Sequence, residues 1–187
     1  MNSSLFSYYL GPNGQYQLVS LFGYRSNSVP GLNILGPTNW CRSLREKIIY
    51  LSRTRKLALP LNKYVLVIED YEQLDAEVLP NLELPLMILY WNLAGILPLY
   101  SLDDCLLSGQ VSSHGEIKIP IPNLGELQNL TSKMDSRWGK THKILTSCQL
   151  SMPSIDINKV IEGVPDLCVR EINNLTMIEN KYCGNEL

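Results

Sequence analysis

The chain has 187 residues, of which 45% are hydrophobic and 18% are charged. This length fits one globular domain, and the apolar fraction argues against intrinsic disorder. The formal charge of −2 gives no overall field that favours nucleic acid or an anionic membrane, so such binding would need a local patch.

Signals for targeting, membrane insertion and metal binding are weak. Residues 1–10 lack a basic region, and the longest apolar segment, residues 84–97, is interrupted by Pro85, Asn92 and Gly95. We therefore predict a cytoplasmic protein without a signal peptide or membrane span. The cysteines are odd in number and widely spaced, and the two histidines stand apart, which favours reduced thiols and no metal site or cofactor. These residues are Cys41, Cys105, Cys148, Cys168 and Cys183, with His114 and His142.

The N-terminal segment, residues 1–14, is polar, aromatic and punctuated by glycine and proline, which indicates a tail or an extra edge segment. Residues 16–24 and 31–35 are apolar and rich in residues that favour strands. The turn-like residues 25–28 separate them, so we predict that the two segments form a β-hairpin.

An amphipathic helix is predicted after Thr38 or Asn39, either of which can cap its N-terminus. Apolar residues recur every three or four positions along it, at Trp40, Leu44, Ile48 and Leu51. The most basic stretch of the chain lies on the other face of this helix and in the residues that directly follow it. This stretch is either a solvated helix face or a nucleic-acid-binding patch. The basic residues proposed for such a patch are Arg42, Arg45, Arg53, Arg55 and Lys56.

The middle of the chain predicts a buried strand at residues 64–68, an acidic solvated loop at 69–80 and a buried helix at 84–97. Residues 103–121 predict a second hairpin around a turn at 112–115. Helices are expected at 124–130, 155–161 and 171–182, and strands at 143–146 and 167–169. This order predicts an α+β fold, with a mixed sheet covered by helices, as one domain over residues 15–182 and a tail at 183–187.

Two short motifs imitate catalytic or nucleotide-binding signatures. The triplet at residues 139–141 ends like a phosphate-binding loop, but Met134 occupies the position of the required leading glycine. Ser112, Ser113 and His114 place a nucleophile type beside a base type, yet adjacent side chains on a strand point to opposite faces. Neither motif indicates a site.

The order of segments resembles that of the magnesium-chelatase-like competence proteins. VPGLNILG at residues 29–36 runs into a basic helix as in that family, and LSGQVSSHGEIKIPI at 107–121 resembles its strand pair. PDLCVREINNL at 165–175 resembles its final strand and helix. The proteolytic domain of Lon has the same arrangement, so the resemblance implies a Lon-type two-layer α+β sandwich over residues 17–182.

The resemblance also implies where a Lon-type peptidase would hold its serine nucleophile and lysine base. The matching positions are approximately Asn81 and Leu127, whose side chains cannot perform this proton transfer. We therefore expect no enzyme, but a non-catalytic protein-interaction or oligomerisation module, with an ATPase in trans as one candidate partner. Two alternatives stay open: a DNA-binding accessory protein that uses the basic helix, and a residual hydrolase with unidentified residues.

Overall fold

The computed structural model describes residues 2–54, 56–57, 60–96, 102, 105–118, 126, 142–146 and 167–171. Within these ranges a mixed sheet is combined with two α-helices, which confirms the predicted α+β class. The strands are β1 (Asn2–Leu10), β2 (Tyr16–Ser26), β3 (Gly31–Leu35), β4 (Lys63–Ile68), β5 (Cys105–Leu107), β6 (Gln110–Val111), β7 (Ile117–Lys118), β8 (His142–Thr146) and β9 (Leu167–Glu171). The helices are α1 (Thr38–Thr54) and α2 (Glu83–Leu93), and a 3-10 turn, Leu79–Leu82, precedes α2.

Seven strands form the main sheet, in the order β3-β4-β2-β1-β5-β8-β9. The pairs β1/β2 and β2/β4 are antiparallel, and the other four neighbouring pairs are parallel. Strands β6 and β7 form a separate antiparallel ribbon. The predicted strands at 64–68, 143–146 and 167–169 are therefore confirmed as β4, β8 and β9.

The N-terminal segment lies in the interior of the sheet, so the prediction of a tail or edge segment at residues 1–14 is wrong. Strand β1 pairs with β2 along its whole length and with β5 on its other side. Residues 11–15 make the connecting turn, in which the Gly11 N–H donates to the Gln15 carbonyl at 2.9 Å and Gly14 has a φ of +71°. The domain therefore begins before residue 15.

The predicted hairpin of residues 16–24 with 31–35 is also wrong, although both strands exist. Strand β4 lies between β2 and β3 and pairs with both. The reason is the helix that follows β3: a strand that returns through a helical crossover pairs in parallel with the strand before it. Segments β3, α1 and β4 form such a unit and leave β3 at the edge of the sheet that the described strands form.

The predicted second hairpin is confirmed for its central part. Strands β6 and β7 pair around residues 112–116, where the Ser112 hydroxyl accepts the His114 and Glu116 N–H groups at 3.2 and 3.0 Å. The preceding segment, 105–107, instead leaves the hairpin and pairs with β1 and β8 in the main sheet. Ser112 and His114 thus belong to a turn, and His114 is exposed.

Both helices cover the same face of the main sheet. Helix α1 buries Leu44, Ile48 and Leu51, as its periodicity predicted, and every residue of α2 is buried. Leu5 of β1 and Leu21 of β2 belong to the same core cluster as these helix residues. The predicted buried helix at 84–97 is confirmed over residues 84–93; α2 begins one residue earlier, at Glu83, and ends before Gly95, whose φ is +73°.

Several predicted elements lie outside the described residues. These are the helix at 155–161, the C-terminal tail at 183–187 and the helix at 124–130 except for Glu126, which is helical. The helix predicted at 171–182 also lies outside them, except for Glu171, which ends β9.

Gly23 of β2 faces a part of the core that has no room for a side chain. An added Cβ would lie 2.8 Å from Leu66 Cδ2 and from Leu93 Cδ1, and 3.0 Å from the Val65 carbonyl oxygen. Both leucines are buried, so the neighbours cannot move aside without disturbing the packing. The Gly23→Ala variant is expected to lose about 2 kcal/mol of unfolding free energy, measured by urea denaturation.

Gly31 provides the control for this prediction. A Cβ added there meets nothing within 4 Å, so Gly31→Ala is expected to leave the unfolding free energy within about 0.5 kcal/mol of the parent. Equal losses in the two alanine variants would show that steric conflict at Gly23 is not the cause.

Candidate functional site

Asn81, where the resemblance would place a Lon-type nucleophile, lies in the 3-10 turn just before α2. Its backbone carbonyl accepts the Gly109 N–H at 2.7 Å and the Ser108 hydroxyl at 3.4 Å. Its side-chain oxygen accepts the Gln110 amide at 3.4 Å. These contacts tie the turn to the segment between β5 and β6, so the polar groups of Asn81 hold the fold together.

Leu127, where the resemblance would place a Lon-type lysine, lies outside the described residues. The absence of a serine–lysine dyad therefore stays a prediction. Ser108 is fully buried, and its hydroxyl donates to the Asn81 carbonyl. A carbonyl oxygen does not take a proton as a general base does, so this contact does not activate the hydroxyl.

Glu83, at the start of α2, forms a partly buried ion pair that the sequence did not predict. Its carboxylate accepts the Lys47 amine at 2.6 Å through one oxygen and the Val111 N–H at 3.0 Å through the other. Lys47 also donates to the Val111 carbonyl at 3.0 Å. The exposed fractions are 27% for the Lys47 side chain and 11% for that of Glu83.

This cluster of Lys47, Glu83 and the Val111 backbone connects α1, α2 and β6. The carboxylate lies in the first turn of α2, where the helix dipole also favours a negative charge. Both carboxylate oxygens have a donor, so the cluster is a structural cross-link between three elements. The sequence signal for it was Lys47 itself, which stands among the core positions Leu44, Ile48 and Leu51 of α1.

The basic residues proposed for nucleic acid are only partly brought together. Arg42 and Arg53 are exposed on α1, and Arg45 forms an exposed ion pair with Glu46 at 2.9 Å. At 3.6 residues per turn, these three arginines fall within about 80° of one another around the helix. Lys56 lies beyond the helix end with a φ of +55°, and Arg55 is outside the described residues.

Two cavities lie along β3, between this edge strand and α1. Their volumes are about 400 and 720 Å³, and both are lined by Leu32, Asn33 and Arg45. We call the combined depression the β3 groove. Neither cavity is lined by Asn81 or Glu83. The lining of the groove also includes Val29, Leu35, Arg42, Glu46, Ile49 and Lys63.

Cys41 of α1 also lines the larger cavity, and its thiol is buried. Burial raises the pKa of this thiol to about 11, so the unreactive protonated form predominates at neutral pH. No group of three or more histidine, cysteine or acidic residues that could hold a metal ion occurs among the residues that the structure describes. Within those same residues, neither helix has the length and apolar character needed to cross a membrane.

No protein-family model matches this chain, and no curated protein matches it significantly.

Proposed function

We propose that this chain is a non-catalytic, Lon-like or magnesium-chelatase-like domain that acts by binding another protein or another copy of itself. The proposal rests first on the order of its segments, in which a Pro-Gly strand, a basic helix and a buried helix follow one another. The α+β class of the structure is compatible with that family. The two-layer Lon-type sandwich is part of the proposal.

The observation that carries the proposal is the location of the two cavities that form the β3 groove. Both cavities described above lie at an edge strand of the sheet, whereas the polar groups around Asn81 and Glu83 are hydrogen-bonded within the fold. Exposed strand edges are common sites of association between chains, because their backbone groups accept a further strand. Such a surface favours binding over chemistry.

The proposal predicts no covalent labelling of the folded protein by a fluorophosphonate probe, which reacts with activated serines. It also predicts association, measured as a mass above that of the monomer in sedimentation, or as a specific cross-link to one protein in the native cell. Ser108→Ala is the control that checks whether any label sits on the buried hydroxyl.

A labelled serine would replace this proposal with the residual hydrolase. A strict monomer without a cross-linked partner would also contradict it.

A second candidate, DNA binding, is favoured by the alignment of Arg42, Arg45 and Arg53 on one face of α1. The overall charge of −2 and the few available phosphate contacts make it the weaker candidate. It predicts retention of duplex DNA at low salt, and loss of that retention when the three arginines are replaced by glutamate. Absence of retention at low salt would remove this candidate.

A further inference from the structure

The backbone of β3 offers hydrogen-bonding groups on its outer side. The Gly31 N–H donates to the Asn62 carbonyl at 3.1 Å, so Gly31 directs its backbone groups toward β4. Because alternate residues of a strand direct these groups to opposite sides, those of Leu32 and Ile34 face away from β4. No described strand pairs with that side of β3. The edge therefore presents two N–H and two C=O groups to an incoming strand.

The groove beside this edge is positively charged, although the whole chain has a negative formal charge. Arg42, Arg45 and Lys63 line it, opposed by Glu46 alone. Arg42 and Lys63 form no ion pair among the described residues, and the Arg45–Glu46 pair is solvent-exposed. Exposed pairs of this kind bind weakly, so an incoming carboxylate can compete for Arg45.

Apolar surface flanks the charges. Leu35 is 50% exposed at the end of β3, and Val29, just before the strand, is 83% exposed. Ile49 lies one helical turn beyond Arg45 on the same stripe of α1 and lines the smaller cavity. A strand seated in the groove would thus meet arginines from α1 and apolar side chains at both ends of β3.

We propose that the β3 groove binds an extended acidic segment of a partner protein, which adds to the sheet as a strand beside β3. This inference rests on the proposed protein-binding function and specifies its site and the chemistry of the partner. A second copy of this chain is disfavoured, because symmetric pairing of two β3 edges would bring the arginines of both copies together. Main-chain hydrogen bonds would supply affinity, and alternate carboxylates would supply specificity.

The test uses the full chain and two fluorescein-labelled ten-residue peptides, one alternating glutamate with valine and one alternating lysine with valine. We expect the glutamate peptide to bind, measured by fluorescence anisotropy, and the lysine peptide not to bind. The double variant Arg42→Glu, Arg45→Glu is expected to weaken binding at least about tenfold. Its matched control, Arg53→Glu with Lys56→Glu, has the same change in charge outside the groove and is expected to bind within about twofold of the parent.

A second pair of variants tests the backbone contact. Ile34→Pro removes an outward N–H that takes no part in the β3/β4 ladder, and Ile34→Ala truncates the same side chain but keeps the N–H. We expect the proline variant to bind the glutamate peptide more weakly than the alanine variant does. Peptide binding should also slow hydrogen exchange of the Leu32 and Ile34 amides in the parent. Thermal unfolding checks that each variant is folded.

Equal binding of the two peptides would overturn the inference. Equal losses of peptide affinity in the two charge variants would also overturn it, and would instead fit a diffuse basic surface such as DNA binding requires. Equal binding by the two Ile34 variants without protection of the amides would overturn strand addition. Absence of peptide binding in a protein that still associates in sedimentation would reject the groove and leave the proposed function standing. If the protein neither binds the peptide nor associates in sedimentation, both the groove inference and the proposed function are rejected.

Discussion

Replacing Glu83 with glutamine is expected to lower the unfolding free energy by about 2–3 kcal/mol. The change keeps the size of the side chain and one acceptor for the Val111 N–H, but it removes the charge that faces Lys47 at 2.6 Å. The lysine amine then remains largely enclosed without a counter-ion, which is the costly outcome when one partner of a shielded pair is lost. Because Lys47 is 27% exposed, the loss should fall below that for a fully buried pair. Urea denaturation of parent and variant measures it.

Glu46→Gln is the matched control on the exposed side of α1. Its ion pair with Arg45 has a similar length, 2.9 Å, but the side chains are 39% and 62% exposed. Water screens such a pair, so the expected loss is within about 0.5 kcal/mol. Similar losses in the two glutamine variants would mean that the enclosure of Glu83 has no energetic consequence.

The double variant Lys47→Met, Glu83→Gln tests whether the loss of stability in Glu83→Gln comes from the lysine charge that is left without a partner. Methionine fills much of the space of the lysine stem without a charge, so the double variant is expected to be more stable than Glu83→Gln alone. Recovery of stability would identify the uncompensated lysine as the source of the loss. A further drop would show instead that Lys47 acts through its bond to the Val111 carbonyl.

The elements that the sequence predicted well are those whose signal is local. Helix α1 repeats apolar residues every three or four positions, and α2 is apolar all round, so both patterns are visible within about three turns of chain. Strand β4 is a short run of bulky residues between polar ones. In each case the buried face is specified by neighbours in the sequence, and no knowledge of the partner element is needed.

The pairing of strands was not predictable in the same way. Residues 2–10 contain Ser3, Ser4 and Ser7 among their apolar residues and look peripheral, yet Ser7 is fully buried and its hydroxyl has no partner among the described residues. What places β1 in the interior is its pairing with β5, about a hundred residues away in the chain. Likewise, no local feature shows that β4 separates β2 from β3.

The candidate site was predictable only in part for the same reason. The order of segments correctly predicted that Asn81 lies just before the buried helix. It did not show the contacts that Asn81 makes with Ser108 and Gln110, which are contributed by a segment 27 residues or more away. The arginines of the β3 groove were identified from their clustering. Their relation to an open strand edge depends on the position of β4, which the hairpin prediction had missed.

Helix α1 thus carries both the groove arginines and the contacts that fix its position on the sheet. Lys47 joins it to Glu83 near its middle, and Ser52 joins it to Trp91 of α2 near its end, at 3.0 Å. The proposed binding surface is outside these contacts, where α1 borders β3. Variants that loosen α1 should therefore lower stability before they alter the chemistry of the groove.

Replacing Trp91 with alanine is expected to cause the largest loss of stability, roughly 4 kcal/mol. The indole is fully buried, and its N–H donates to the Ser52 hydroxyl, which in turn donates to the Ile48 carbonyl at 2.7 Å. Alanine leaves a large cavity between α1 and α2. Trp91→Phe keeps most of the apolar volume and removes the N–H, so its loss should be roughly 1–2 kcal/mol.

Trp40→Ala is the control for Trp91, because Trp40 is only partly buried at the start of α1. Its expected loss is about 1 kcal/mol, since less apolar surface leaves water there on folding. Urea denaturation of the three variants should rank them Trp91→Ala, Trp91→Phe and Trp40→Ala, from least to most stable. If Trp40→Ala lost as much as Trp91→Ala, the contact between α1 and α2 would not be the centre of the core. The position of the groove arginines would then depend chiefly on how α1 begins.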